Sequence, residues 1–191
     1  MIGAITAGLF SSGVAAATNS YESIQTVTVG SGGSASIDFT SIPSTYKHLQ
    51  IRAISRSDRA VTLDALNLRM GNGTIDTGSN YAWHFVYGNG ASALAAAGAS
   101  DNAINAFYQS GSSAGASIFG GGVIDILDYA NTSKYKTMRS LSGADLNGSG
   151  NMALFSGLWQ STSAVNCIRL FSGAGSNISQ YSSFALYGIK G

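Results

Sequence analysis

The chain has 191 residues, of which 45% are hydrophobic and 10% are charged, and its net charge is +1. This length suits one domain with a hydrophobic core, and the charged fraction lies well below the roughly 25% of an ordinary soluble domain. Glutamate occurs once and lysine four times, although helices use both residues freely on exposed faces. With 25 glycines, this composition predicts an all-β protein. The ten basic residues form no continuous run, which argues against a nucleic-acid partner.

The first 20 residues carry no charge. They lack the basic start of a secretory signal, and glycine and serine interrupt them too often for a membrane span of about 20 apolar residues. We therefore predict an N-terminal assembly arm, residues 1–20, that packs between subunits or inserts into a neighbouring protein, and no membrane partner. We assign its apolar contacts to Ile2, Ile5, Leu9, Phe10 and Val14.

Residues 21–191 are predicted to form one domain of short strands, because apolar and polar side chains alternate with period two. About ten strands are expected, over residues 22–29, 34–39, 47–55, 65–70, 81–87, 123–127, 134–141, 152–160, 165–171 and 181–189. The first two should form a hairpin around the glycine-rich turn 30–33. Turns at intervals of roughly 8–12 residues predict a single antiparallel β-sandwich of jelly-roll type.

Three of these strands carry the strongest core signals. Their inward positions are predicted to be Leu49, Ile51 and Ala53 in one strand, Leu66, Leu68 and Met70 in the next, and an aromatic row of Tyr81, Trp83, Phe85 and Tyr87. The segment 88–122 lacks a comparable pattern and is rich in Ala, Gly and Ser, with a weak helical tendency over 91–99. Segments of this length between strong strands often carry functional loops, and a host glycan is one ligand such loops could bind.

The residues that could support catalysis are few. His48 and His84 lie on alternating strands without a metal-ligand spacing, so each is predicted to be an exposed or hydrogen-bonded strand residue. Cys167 lies in an apolar strand and is predicted to be a packed core thiol. Asp125 and Asp128 are three residues apart on one strand, so they point to opposite faces and do not form the carboxylate pair of a glycan-degrading enzyme. We predict no catalytic residue, no cofactor and no metal, and we do not expect an enzyme.

One motif has two interpretations. The run from Asp145 to Gly150 matches the first half of a calcium loop, with side-chain oxygens on Asp145, Asn147 and Ser149 and glycine at the sixth position. The twelfth position is Ser156 instead of the glutamate that such a site requires. Asx and glycine residues are also what a β-hairpin turn needs, and we favour the turn.

Several stretches after residue 20 carry a family resemblance. They are SYESI (20–24), IDFTSIP (37–43), YKHLQIR (46–52), YGNG (87–90), IDILDY (124–129), GLWQS (157–161) and YSSFALYGIKG (181–191). Taken together, they resemble a family of small virion structural proteins of tailed phages, of the aquatic and cyanophage type. The resemblance covers nearly all of the chain after residue 20 and transfers no functional residue.

The resemblance implies a location on the surface of a virion that is assembled in the host cytoplasm. It implies other copies of the chain as partners, often in a homotrimer, together with a capsid or tail protein. Two roles fit: a capsid cement (decoration) protein on the outer shell, or a tail-fibre or tail-tip module that binds the host surface. The short chain and its apolar arm favour cement, whereas polar loops rich in Ser, Gly and Tyr are typical of binding tips.

Overall fold

A computed structural model describes residues 20–191, and this range contains β-strands and no helix. The predicted all-β class is therefore confirmed. The predicted assembly arm, with Ile2, Ile5, Leu9, Phe10 and Val14, lies outside the described residues except for Ser20. Within the described range, no helix has the length and apolar character needed to cross a membrane.

Thirteen strands form two sheets in the described part of the chain. The strands are β1 Tyr21–Thr28, β2 Ile37–Phe39, β3 His48–Ser55, β4 Leu63–Asn72, β5 Thr74–Ile75, β6 Tyr81–Gly88, β7 Ala93–Asp101, β8 Ile104–Ser110, β9 Gly120–Leu127, β10 Lys136–Asp145, β11 Gly150–Trp159, β12 Cys167–Ser172 and β13 Ser183–Ile189. The large sheet has eight strands in the order β1-β13-β3-β9-β10-β11-β6-β7. The small sheet has the order β2-β12-β4-β5, and β8 also pairs with β4. All strand pairs are antiparallel, and the jelly-roll type stays a prediction.

The structure contains three strands, β5, β7 and β8, beyond the ten predicted. Residues 93–101 form strand β7, so the helical tendency assigned to 91–99 was wrong. Alanine favours a helix, but this run has no apolar stripe of helical period to bury, and the free edge of β6 offers backbone partners instead.

The predicted first hairpin was also wrong. Strand β1 pairs with β13 in the large sheet, whereas β2 pairs with β12 in the small sheet. After the turn, Ser34 and Ile178 exchange backbone hydrogen bonds of 2.9 and 2.7 Å. This bridge holds the chain beside the loop that precedes β13, and the following residues enter the other sheet.

The core lies between the two sheets and contains the inward positions predicted for β3 and β4. Leu49, Ile51, Leu66, Leu68 and Met70 are all fully buried. The aromatic row of β6 is buried only at its start, since Tyr81 is inaccessible while Trp83, Phe85 and Tyr87 are partly exposed. The inner face of the large sheet is therefore less well covered towards β7.

Strand β8 passes unusually close to the inner face of the large sheet. Cα atoms of β8 lie within 8 Å of Cα atoms in β9, β10 and β11, whereas stacked sheets are typically about 10 Å apart. Glycines make this approach possible. A Cβ atom on Gly122 would lie 2.4 Å from the Phe107 ring, and one on Gly157 would lie 2.5 Å from the side chain of Ile104.

Two inward serines of β10 bind the backbone of β8. The hydroxyl of Ser140 donates to the carbonyl of Ala106, and the amide of Tyr108 donates to the hydroxyl of Ser142 at 3.3 Å. These contacts satisfy backbone groups of β8 that its pairing with β4 leaves free, as buried polar groups require. Small residues on the large sheet thus provide both the space and the hydrogen bonds that β8 needs.

We predict that Gly122→Ala destabilises the fold. The added methyl group would overlap Phe107 and lie 2.6 Å from the carbonyl oxygen of Leu141, and overpacking of this kind costs about 1–3 kcal/mol. The matched control is Gly121→Ala on the same strand, where the nearest atom, the Ala53 oxygen, lies 3.8 Å away. Urea unfolding should show a clear loss of unfolding free energy for the first variant and a change below about 0.5 kcal/mol for the second. Equal values for both would contradict the close packing of β8.

Candidate interaction surface

The nine carboxylates of the chain all have polar partners in the structure. The pairs are Glu22–Lys190, Asp38–Arg169, Asp58–Asn177, Asp64–Arg59, Asp76–Trp159, Asp101–Trp83, Asp125–Arg139, Asp128–Lys134 and Asp145–Asn147. Each of these contacts holds a strand, a loop or a turn in place. Across residues 20–191, no group of three or more His, Cys, Asp or Glu side chains could hold a metal ion.

The residues that the sequence singled out for chemistry have structural contacts. The Nδ1 atom of His48 accepts the amide of Asp128 at 2.9 Å, and His84 is exposed on its strand, as predicted for strand histidines. Cys167 is buried, as predicted, and burial raises the pKa of its thiol. Asp125 is bound by Gln50 on β3, while Asp128 lies in the turn beyond β9 and has different partners.

The turn interpretation of Asp145–Gly150 is confirmed. These residues connect β10 to β11, whose ladder closes with Asp145 opposite Gly150. A carboxylate oxygen of Asp145 accepts the amide of Asn147 at 2.9 Å, and Leu146 donates to the carbonyl of Ser149 at 2.9 Å. Asn147, with φ of 59°, adopts the left-handed conformation that asparagine tolerates in turns.

Arg56 and Lys136 each bind several backbone carbonyls. The guanidinium of Arg56 donates to carbonyl oxygens of residues 112, 114, 115 and 118 at 2.8–3.1 Å and thereby orders that loop. Lys136 is fully buried, and its ammonium donates to the carbonyls of Lys134 at 2.9 Å and Thr162 at 3.1 Å. Burial holds the pKa of Lys136 below its usual range. Sequence reasoning missed both contacts, because backbone acceptors leave no mark in the sequence.

A buried carboxylate organises the neighbouring loops. The side chain of Asp64 is inaccessible, and it binds Arg59 at 2.9 Å and the hydroxyl of Ser172 at 2.7 Å. Burial by itself raises the pKa of Asp64, but the hydrogen bonds from Ser172 and Arg59 outweigh it and leave the pKa below its usual range. This network connects β4 to β12 and to the loop after β3, which is a structural role.

The outer face of the large sheet carries apolar side chains that no part of the described structure covers. Val123, Leu141, Leu154, Val86 and Ala95 lie directly opposite one another across β9, β10, β11, β6 and β7. The adjoining row on the same face consists of Ile54, Gly121, Gly143, Met152, Gly88 and Ala93.

We define the outer apolar patch as Ile54, Val86, Leu141, Met152 and Leu154. Their exposed fractions are 57%, 47%, 54%, 67% and 53%, respectively. Monomeric proteins rarely expose large contiguous apolar patches, and such patches with polar surroundings usually mark interaction sites. The patch is therefore the candidate functional site.

Glycines shape the middle of this surface into a shallow depression. Its lining includes Gly88, Gly121, Gly143, Leu141 and Met152, and its volume is about 840 Å³. The turn between β10 and β11 forms one end of the depression. A surface that is flat and apolar with one shallow depression is suited to a complementary protein surface better than to a small molecule, which needs an enclosing pocket.

Charged and polar side chains occupy the other half of the outer face. One row contains Gln50, Asp125, Arg139, Ser156 and His84 across β3, β9, β10, β11 and β6. Gln50 donates to Asp125 at 2.9 Å, and Arg139 donates to the same carboxylate at 3.2 Å. This row gives the outer apolar patch a polar border on one side.

Comparisons with family models, with curated proteins and with solved structures found no match to the chain. The functional interpretation therefore depends on the arrangement of the residues themselves and on the resemblance in the sequence.

The pH dependence of thermal stability should reveal how much the ion pairs of Asp128 contribute to the stability of the fold. Hydrogen bonds from Lys134 and Lys47 lower the pKa of Asp128 from 3.8 to about 2. Since the folded pKa lies below the ordinary value, the pairs contribute stability above about pH 4 and lose it as the pH falls towards 2. We expect Asp128→Asn to lower the melting temperature at pH 6, with the difference from the wild type shrinking steadily as the pH approaches 2.

Asp145→Asn is the control, because it also removes one negative charge but no ion pair among the described residues. Thermal melts between pH 2 and 6 would measure both variants. A difference between Asp128→Asn and the wild type that does not depend on pH would contradict the lowered pKa.

Proposed function

We propose that this chain is a non-catalytic structural protein of a tailed-phage particle, and that it acts as a cement (decoration) protein on the outer capsid shell. The observation that carries the proposal is the outer apolar patch, in which five large apolar side chains are about half exposed. A protein shell offers a broad, complementary surface that could cover this patch. Covering it would remove apolar area from water, the main favourable term in protein association.

The assignment to a phage is supported by the resemblance in residues 20–191. Jelly-roll sandwiches are common among viral capsid domains. We therefore include the predicted jelly-roll type in the proposal. The predicted arm, residues 1–20, would add a second apolar contact to a neighbouring subunit. The partners are then the capsid protein and other copies of the chain, for which the resemblance implies a trimer.

A tail-fibre or tail-tip module is the second candidate, and one feature favours it. A depression of about 380 Å³ is lined by Trp83, Asp101, Asn67 and Asn105, among others. An aromatic ring beside amide and carboxylate groups is suited to a sugar, which presents an apolar face and hydroxyls. Reconstruction of the assembled particle separates the two roles, because cement implies hundreds of copies on the shell and a tail module implies a handful at the tail.

The role of the patch can be tested by comparing two lysine substitutions. Leu154 and Ser156 are both exposed and lie on the same face of β11, but only Leu154 belongs to the patch. With purified particles that lack the protein, Leu154→Lys should weaken binding by about tenfold or more, since a charge at the centre of an interface loses its water. Ser156→Lys should stay within about twofold of the wild type. Equal binding by both variants would exclude the patch as the docking surface.

The predicted arm can be tested with paired aspartate substitutions. Replacing Leu9 and Phe10 by Asp would place two charges in an apolar contact and should reduce incorporation into particles by about tenfold or more. Replacing Ser11 and Ser12 by Asp adds the same charge to the same segment and should have little effect. Counting copies per particle by quantitative mass spectrometry measures both. Normal incorporation of the Leu9/Phe10 variant would show that the arm does not serve assembly.

A further inference from the structure

Among residues 20–191, strand β7 is a free edge of the large sheet. It pairs with β6 on one side, and its residues 93–97, 99 and 100 are exposed. From Ala93 to Ser100 the strand has no charged residue and no proline. A free edge strand presents a row of unpaired N–H and C=O groups, and natural proteins normally protect such edges with charges, bulges or proline.

The opposite edge of the same sheet has this protection. Strand β1 carries Glu22, which pairs with Lys190 at 3.0 Å. A register shift between Ser23 and Gln25 also disrupts its ladder. The corresponding shift in β7 lies beyond Gly98, at the Asp101 end, so the run from Ala93 to Gly98 is regular. The two edges therefore differ, and β7 lacks these protections from Ala93 to Gly98.

We propose that β7 pairs with β7 of a second copy of this chain, antiparallel and with the two-fold axis at Ala96. In this register the strand is complementary to itself. Ala95 lies opposite Ala97 of the second copy, and Leu94, the one large side chain between Ala93 and Ser100, lies opposite Gly98.

The surroundings of Gly98 suit an incoming leucine. A Cβ atom on Gly98 would lie 2.2 Å from a carboxylate oxygen of Asp101 and 2.6 Å from the ring of Trp83, so the indole and the carboxylate that it binds occupy the space beside this backbone position. Leu94 projects from the same face of the sheet as Trp83. It lies opposite Tyr87, and Tyr87 and Trp83 belong to the same aromatic row of β6. Leu94 of the second copy would thus contact the indole at a position with no side chain of its own, and its exposed fraction of 49% in the single chain would be reduced.

This contact goes beyond the proposed function, because it joins copies of the chain to one another and not to a shell. It would make the two large sheets continuous, and both outer apolar patches would then lie on one continuous sheet. A two-fold contact of this kind closes as a dimer. A trimer would have to use a different surface.

The mass of the full chain in solution tests the proposal. Light scattering after size exclusion should give twice the chain mass of 19.5 kDa. The double variant Ala95→Lys/Ala97→Lys places like charges opposite each other twice across the axis, which should raise the dissociation constant at least about tenfold and return the single-chain mass. Thr26→Lys, on the exposed edge strand β1, is the matched control and should keep the wild-type mass. A wild type that is monomeric at high micromolar concentration, or variants that keep the wild-type mass, would overturn the pairing.

Cysteine cross-linking tests the register independently of any loss of folding in the lysine variant. Residue 96 lies opposite its own copy in the proposed dimer, so Ala96→Cys should form a disulfide-linked dimer under mild oxidation. Ala93→Cys would lie about 20 Å from its own copy at 3.3 Å per residue and should remain unlinked. The native Cys167 is buried, so the wild type should not cross-link. Equal cross-linking at 93 and 96, or none at 96, would exclude this register. Because neither experiment involves particles, a negative result leaves the docking of the outer apolar patch untouched.

Discussion

The close approach of β8 to the large sheet determines how the two sheets fit together. It requires residues without large side chains where β8 crosses β9, β10 and β11, and Gly122, Gly157, Ser140 and Ser142 meet this requirement. Because β8 pairs with β4, its position also sets where the small sheet lies. The small sheet has fewer strands than the large one, so within residues 20–191 strand β6 is only partly covered and β7 is exposed. The free edge is thus a consequence of how the core is packed.

Few charges are present, and most of them are committed to internal contacts. Arg56 and Lys136 bind backbone carbonyls, and Asp64 holds β4 against β12. The exposed surface that remains is dominated by Ser, Thr, Gly and Ala, with little charge to desolvate when another protein covers it. Association through the outer apolar patch or through β7 should therefore depend only weakly on ionic strength, since salt screens charges and not apolar contacts.

The sequence predicted those strands in which apolar residues point inwards, such as β3 and β4, because their alternation is unambiguous. It missed β7 and β8, where Ala, Gly and Ser give no periodic contrast. It also missed the outer apolar patch, because in β10 the usual pattern is inverted, with Ser140 and Ser142 buried and Leu141 exposed. An alternation of serine and leucine shows that the two faces differ but not which one is inside. That choice depends on β8, whose backbone needs the serines.

The two surfaces are geometrically independent, because one is a sheet face and the other a sheet edge. Pairing through β7 leaves the outer apolar patch uncovered, and docking of the patch leaves the backbone groups of β7 accessible. If both contacts form, a dimer presents two patches to the same shell. The second patch then binds at the high effective concentration that the first attachment imposes, so a weak individual contact becomes a durable one. A flat apolar face of modest size would suffice for a cement protein under this arrangement, provided that the edge strand holds the two copies in register.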